Sequence, residues 1–579
     1  MSNNLVCTDI EETYSKESKN VILGDWCLSN VNKNIKKDVK KIKFHWSSSK
    51  KKEVDYIYLE KLYYKILKSF MESLNNYHSV DKNYRYWHII IGPFLLNTLQ
   101  IIWERWESFK NAIEQEQIDE TRVLDLKLED ITPSQFKELF FEKNSHLLNH
   151  VFYSEIIKFL KPKNIDIINL KYNKKFTYQY SNSYFNNIKK KKINLIKFFV
   201  DYSAGKVFGN HNVLFYKSYL EKKKLIELCL KLKQFPRIFN ELDQNLIFEN
   251  SLNRKNFLIN YNEENLFETF FKKILFKVTP FSYLEDYKKI LYEANKIKAD
   301  PKIIYTAQGH TSDDFFKIWA AGKVENGTKY IVTDHGGFLD DKQNFGSWSN
   351  YSDMYIRWNK SDETKTKQMS PSIMFKNYKN YDQNKNSKIL MVAGFSNIYP
   401  NKIQSAPVSG EIIKDVKDWE KFYSKLEESK KRLFKIRIHP NDSWEIKKYL
   451  VKNCGDKIIS KVKDFKKDVE NSKIIINTNF STSFFETMHS GIPNIVLAKQ
   501  NYFLLRADKY ELINEMKENK LLFENVENAL AHINEIWKQP IKWWNSDKVI
   551  STREKFNRLC FIKNHNEIND WKNFFQSQL

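Results

Sequence analysis

Residues 473–497 read KIIINTNFSTSFFETMHSGIPNIVL. A β-branched run at Lys473–Asn477 is followed by a polar turn, a helical stretch over Ser483–His489 and a second β-branched run at Asn494–Leu497. A strand returning through a helix to another strand is the unit of a parallel sheet. Upstream the rhythm repeats: strand Ile389–Ala393, helix Val416–Ser429, strand Leu433–Ile438 and helix Trp444–Val451. It appears once more near residue 300, with strands over Pro301–Ala307, Lys329–Thr333 and Met354–Trp358 and a helix over Asp313–Ala321. Strands alternating with helices predict an α/β protein with parallel sheets covered on both faces.

Farther from that stretch the character changes. From Glu53 to about Leu291 apolar residues fall at helical spacing, as in Tyr58, Leu62, Tyr63, Ile66 and Phe70, after one early strand at Val21–Gly24. A chain of 579 residues exceeds what one core organises. The expected division is residues 1–358 as a Rossmann-like domain with a helical insertion over about 53–291, a linker at 359–387, and a second Rossmann-like domain at 388–579. The helical, Trp-rich tail from Val526 is expected to fold back on the other domain.

Open parallel sheets bind ligands beyond the carboxyl ends of their strands. Four polar clusters occupy such positions: Gln308-Gly309-His310, Asp334-His335-Gly336-Gly337, Arg437-Ile438-His439-Pro440, and Asn479 to Ser483. Ser481, Thr482 and Ser483 at a helix start offer hydroxyls and free N–H groups to a phosphate; an ordinary N-cap reads the same way. Glu486, one turn on, either accepts from ribose hydroxyls or favours the helix N-terminus. His439, with Arg437 two residues earlier on the same face, suits a departing phosphate, or caps a turn. His335 before two glycines reads as a base facing a closely approaching ligand, or as a tight turn.

The formal charge of +24 resembles that of nucleic-acid-binding proteins. However, Lys, Asn and Ile are abundant where Gly and Ala are scarce, a bias that codon usage alone produces. Clusters such as Lys189–Lys192 and Lys222–Lys224 therefore read as solvated surface, with attraction to anionic lipid of the inner membrane or to anionic sugar intermediates as the alternative. The five scattered cysteines form no C-x-x-C, as expected of reduced thiols in a cytoplasmic protein, and the acidic, polar start does not resemble a secretory signal. The uncharged run Tyr86–Trp103 approaches transmembrane length, but its polar residues predict a buried helix broken at Gly92-Pro93. The chain has no Walker A loop, G-x-G-x-x-G, H-E-x-x-H or G-x-S-x-G. It also lacks D-x-D, so a reaction without metal or other cofactor is expected.

The set LGDWC (Leu23–Cys27), N-x-x-H (Asn75–His78), RYW (Arg85–Trp87), Gly92-Pro93, QGH, HGG, R-x-HP and S-T-S-FFET resembles a family of surface-carbohydrate transferases found in O-antigen gene clusters. The likeness spans nearly the whole chain. The second half is more distantly similar to CDP-glycerol glycerophosphotransferases and to bacterial sialic acid and Kdo transferases, which implies the two-domain GT-B arrangement. That resemblance implies nucleotide binding at His439-Pro440 and Ser481–Ser483. It implies a catalytic histidine at His335 in the one group, or an acidic base at Asp334 in the other. The expected activity is transfer of a sugar from a nucleotide-activated donor, CMP- or CDP-linked, to a glycan, glycolipid or glycoprotein acceptor. Donor phosphate falls to Arg437, His439 and the serine and threonine cradle, acceptor and base to the Gln308–His310 and Asp334–Gly337 loops. Polyol-phosphate transfer, nucleotide-sugar epimerisation and nucleic-acid binding are the alternatives.

Overall fold

The computed structural model describes residues 2–29, 39–174, 176–178, 212–235, 254, 257–297, 299–337, 339, 345–346, 348–370, 378–379, 381–382, 387–500, 503–562 and 566–579. The Lys189–Lys192 cluster lies outside them. The described strands make three five-stranded sheets, each parallel throughout.

The third sheet holds β11 (Lys388–Val392), β12 (Phe434–Arg437), β13 (Ser472–Asn477), β14 (Asn494–Leu497) and β15 (Leu522–Phe523), in the order β12-β11-β13-β14-β15. The second holds β6 (Val213–Tyr216), β7 (Ile303–Thr306), β8 (Lys329–Thr333), β9 (Met354–Arg357) and β10 (Thr366–Gln368), in the order β10-β9-β8-β7-β6. Their inner strands are the continuous apolar runs that a sheet covered on both faces requires. Every residue of β7 and β14 is buried. The segment 359–387 contributes β10 to the second sheet.

The α/β class and the parallel sheets agree with the sequence reading, but the N-terminal region is more than a helical elaboration. It carries a sheet of its own, with β1 (Asn3–Val6), β2 (Lys19–Ile22), β3 (Val39–Lys41), β4 (Glu120–Leu124) and β5 (Asp166–Leu170) in the order β3-β2-β1-β4-β5. Its edge strands β3 and β5 are partly exposed and read VKK and DIINL, and β4 beside β5 reads ETRVL, so charged and polar residues hide the β pattern.

A long helix pair, α1 (Ser49–His78) and α2 (Tyr84–Gln115), joins this sheet to the second. The expected break at Gly92-Pro93 is absent, since α2 runs unbroken through Pro93. Two buried side chains bond carbonyls in this turn of the helix. Lys317 Nζ donates to the Ile90 carbonyl at 2.8 Å, and Asn97 Nδ2 donates to that of Pro93 at 2.7 Å. Gly92 is where α1 comes close, because a Cβ there would lie 2.9 Å from the Tyr63 hydroxyl. Tyr86 to Trp106 are buried in protein, and among the described residues no helix is long and apolar enough to cross a membrane.

One core unites the first sheet, the helix pair and one face of the second sheet through Tyr216, Ile304 and Val332. The opposite face, with Phe215, Ile303, Tyr305 and Ile331, is covered by the C-terminal helix Glu567–Gln578 through Trp571, Phe574 and Phe575. The tail thus leaves the third sheet's neighbourhood and clasps the second. Phe575 meets Phe215 edge-on at 5.3 Å, and Trp571 meets Tyr305 at 5.6 Å.

Candidate active site

The third sheet reverses its order between β11 and β13, and a crevice opens there beyond the strand ends. Gly394, two residues past β11, donates its N–H to Thr478 Oγ1 at 2.7 Å. A Cβ at Gly394 would stand 2.8 Å from Asn479 Nδ2, so glycine lets the two loops converge. The crevice is a cavity of about 430 Å³ lined by Gly394, Phe395, Arg437, His439, Pro440, Ser481, Ser483 and Glu486, among others.

Ser481 is the N-cap of the helix Thr482–Met488, yet its hydroxyl makes no capping bond and instead lies 3.0 Å from Ser483 Oγ. The hydroxyl pair faces the crevice. His439 stacks on Phe395 with ring centroids 4.8 Å apart. Its Nδ1 accepts the Asn441 N–H at 3.1 Å, so the neutral ring carries its hydrogen on Nε2. Burial lowers its pKa below the usual histidine value, which favours the neutral ring. Arg437 is braced: Nη1 donates to the Val462 carbonyl at 2.6 Å and to Asp468 at 3.0 Å, and Nη2 to the Lys463 carbonyl at 3.0 Å. Glu486 accepts from the Tyr378 hydroxyl at 2.6 Å.

Across the cradle lies a second cavity of about 470 Å³, built at the strand ends of the second sheet. After β7, the Gly309 N–H donates to Thr306 Oγ1 at 2.9 Å, and the Gln308 side chain accepts from the Tyr219 hydroxyl at 2.7 Å. Gly309 packs on Tyr216 so closely that a Cβ would stand 2.5 Å from the ring. His310 is buried edge-on to Trp348, its pKa lowered to about 3 by desolvation, and its Nδ1 has no hydrogen-bond partner.

Beyond β8 the two neighbours Asp334 and His335 diverge. Asp334 accepts from the Tyr355 hydroxyl and from the Trp358 N–H at 3.1 Å, so both its oxygens are engaged by β9 and the residue after it. Burial raises its pKa, opposed by Arg357. His335 is exposed and lines the cavity; desolvation, then Lys402, lowers its pKa to about 4. It is therefore neutral near pH 7. Gly336 and Gly337 make the loop thin enough to meet the third sheet's domain. The Gly337 N–H donates to Thr482 Oγ1 at 3.2 Å, and a Cβ on Gly336 would stand 2.5 Å from that hydroxyl.

The structure therefore brings the four motifs together. Asn479, Ser481 and Thr482 line both cavities, so the serine and threonine cradle is their shared wall. Sequence reasoning missed Asn97, Lys143, Lys402 and Gln404 in the second cavity. Lys402 and Gln404 come from the loop after β11, which docks on the N-terminal core through Tyr399 and Ile403. Nothing local marks them in the sequence. Among the described residues no three His, Cys, Asp or Glu side chains gather as a metal site.

The family described as "LIC12162 family transferase" matches the chain over residues 3–575. No curated protein matches. Among solved structures, TarM is similar at 14% identity over 49% of this chain and 57% of its own, with a TM-score of 0.31. The glycotransferase of kitacinnamycin is similar at 9% identity over 64% of this chain and 99% of its own, with a TM-score of 0.34. MurG of Acinetobacter baumannii is similar at 8% identity over 50% of this chain and 77% of its own, with a TM-score of 0.29. The match spans little more than half of TarM's length.

Proposed function

The chain belongs to the LIC12162 family of transferases, and from that premise we propose that it moves a glycosyl group from a nucleotide-activated donor, CMP-linked in the first instance, to a hydroxyl of a surface-carbohydrate acceptor. The observation that carries this reading is the pair of cavities meeting at the Asn479–Thr482 wall, with a neutral histidine on each side. An acceptor hydroxyl is a poor nucleophile, and a phosphate is a good leaving group only when its charge is held. The second cavity meets the first need and the crevice the second.

In this mechanism the donor phosphate sits in the crevice, accepting from His439 Nε2–H and the Ser481 and Ser483 hydroxyls. The acceptor hydroxyl enters beside His335. As its oxygen bonds the anomeric carbon, its proton passes to the His335 ring and the bond to the phosphate oxygen breaks, the electron pair leaving with the nucleotide. Asp334, with both oxygens engaged, fixes the loop rather than taking the proton. Arg437, held by Asp468, shapes the crevice wall and adds positive potential. Donor binding thus belongs to residues 388–579 and acceptor binding to 1–358, and no step requires a metal. The protein works in the cytoplasm, where nucleotide-activated sugars are made, and its positive charge suits contact with an anionic membrane face.

A nucleotide that binds only the folded chain stabilises it, by about 2.7 kcal/mol at 100 times its dissociation constant. Thermal unfolding with CMP, CDP, UDP and GDP tests the reading. A rise in Tm is expected with the cytidine nucleotides first, and no rise with any of the four would overturn it.

A further inference from the structure

The second cavity has a charge that the transfer reaction alone does not require. Lys143 and Lys402 both line it, and neither forms an ion pair with any described residue. Lys143 Nζ lies over the Phe140 ring, 4.6 Å from its centroid. Among the described lining residues Asp334 is the only carboxylate, and it faces the Tyr355 hydroxyl and the Trp358 N–H. The Gln404 amide is also buried there with neither its oxygen nor its nitrogen paired. By contrast, Lys317 is paired with Asp314, Lys388 with Asp468 and Lys509 with Asp508.

Two unpaired ammonium groups beside an unpaired amide are costly unless an anion completes them. We propose that this cavity takes an oxyanion of the substrate, a carboxylate or a phosphate group, between Lys143 and Lys402, with the Gln404 amide donating to it. The substrate that enters here is accordingly an acidic sugar or a sugar phosphate. The inference rests on the transferase reading for the cavity's role, and it narrows the substrate class rather than the reaction. The electrostatics agree: burial and the charge of Lys402 lower the Lys143 pKa to about 7, and burial lowers that of Lys402. A bound anion removes both penalties, so Lys143 takes up a proton as the oxyanion binds above pH 7.

The test is calorimetry on the full chain at pH 8, titrating glucuronate, glucose 6-phosphate and glucose in two buffers of different ionisation enthalpy. At least one charged sugar is expected to bind tenfold or more tighter than glucose with net proton uptake; which one distinguishes carboxylate from phosphate. K143M and K402M, which keep the apolar stem, are each expected to weaken that binding tenfold or more, and K143M to abolish the uptake. Both variants lose an unpaired charge, so their Tm at pH 7 should equal or exceed that of the natural chain. Equal binding of glucose, no binding of either charged sugar, or charged-sugar binding that survives both substitutions would overturn the proposal. CMP stabilisation is measured on the same samples. If CMP binds and the charged sugars do not, only this inference fails; if charged sugars bind with proton uptake and no nucleotide does, only the donor reading fails.

Discussion

His335 and Asp334 are adjacent in sequence and opposite in circumstance. The imidazole opens to the cavity while the carboxylate is spent on the Tyr355 hydroxyl and the Trp358 N–H. A base that acts in the transition state contributes to turnover more than to donor binding. His335→Ala is therefore expected to lower kcat by about 10²- to 10⁴-fold, whereas Asp334→Asn should act mainly through Tm, because it perturbs the packing of the loop. Loss of turnover in Asp334→Asn with His335→Ala still active would reverse the two assignments. These residues were legible because each follows a readable strand in a short polar motif. Lys143 and Lys402 were not, since two lysines among 95 basic residues carry no local mark. Arg437 shows the converse, because its place at a strand end was visible but its engagement with Asp468 depends on a residue of the helix Phe465–Glu470.

The motifs behind the family likeness divide by what their elements do. QGH, HGG, R-x-HP and S-T-S sit at strand ends around the cavities, whereas those of the N-terminal region hold helices together. Asn75 accepts from Trp87 Nε1 at 2.7 Å, His78 Nε2 lies 2.9 Å from the Tyr283 carbonyl, and Arg85 Nη2 donates to Asp353 at 2.6 Å. In LGDWC, Trp26 Nε1 donates to the Cys7 carbonyl at 3.0 Å, and Asp25 is the residue that Gly410 of the docking loop approaches. A conspicuous motif thus does not by itself tell a helix joint from a site. The unbroken α2 was hidden for a similar reason, because its turn at Pro93 is packed against groups such as Lys317, which bonds the Ile90 carbonyl and is distant in sequence. At this scale the HGG loop is the most sensitive point of the junction. Gly336→Ala would put a Cβ 2.5 Å from Thr482 Oγ1, within the van der Waals contact distance. The expected outcome is a chain with native circular dichroism and at least tenfold lower turnover, as the two cavities move apart. Full activity would show that the Gly336–Thr482 approach is dispensable.

Over the whole molecule the charge of +24 is distributed among many exposed lysines, and the interior is where protonation matters. His78 is held at about 4, and His88, His150 and His310 at about 3, in each case first by desolvation. Unfolded, each titrates near 6.5. Since the folded values are the lower ones, the unfolded chain binds the extra protons between those limits, and stability falls as pH drops below 6.5. Tm is expected to decline already between pH 7 and 5.5, above the carboxylate range, and a flat Tm there would mean these rings accept protons in place. The class, β7 to β9 of the second sheet and β11 to β14 of the third were readable from β-branched runs, whereas β6, β10 and β15 were not. The first sheet was not, because its edge strands are polar. The central claim, that a phosphate-binding crevice and a base-bearing cavity share one wall, is tested most directly by titrating CMP calorimetrically into the natural chain, His439→Ala and His335→Ala. A hydrogen bond to a charged phosphate contributes about 1.5 to 3 kcal/mol. The account predicts that His439→Ala weakens CMP binding by roughly tenfold or more while His335→Ala leaves it within about twofold; equal losses in both, or no CMP binding by the natural chain, would contradict it.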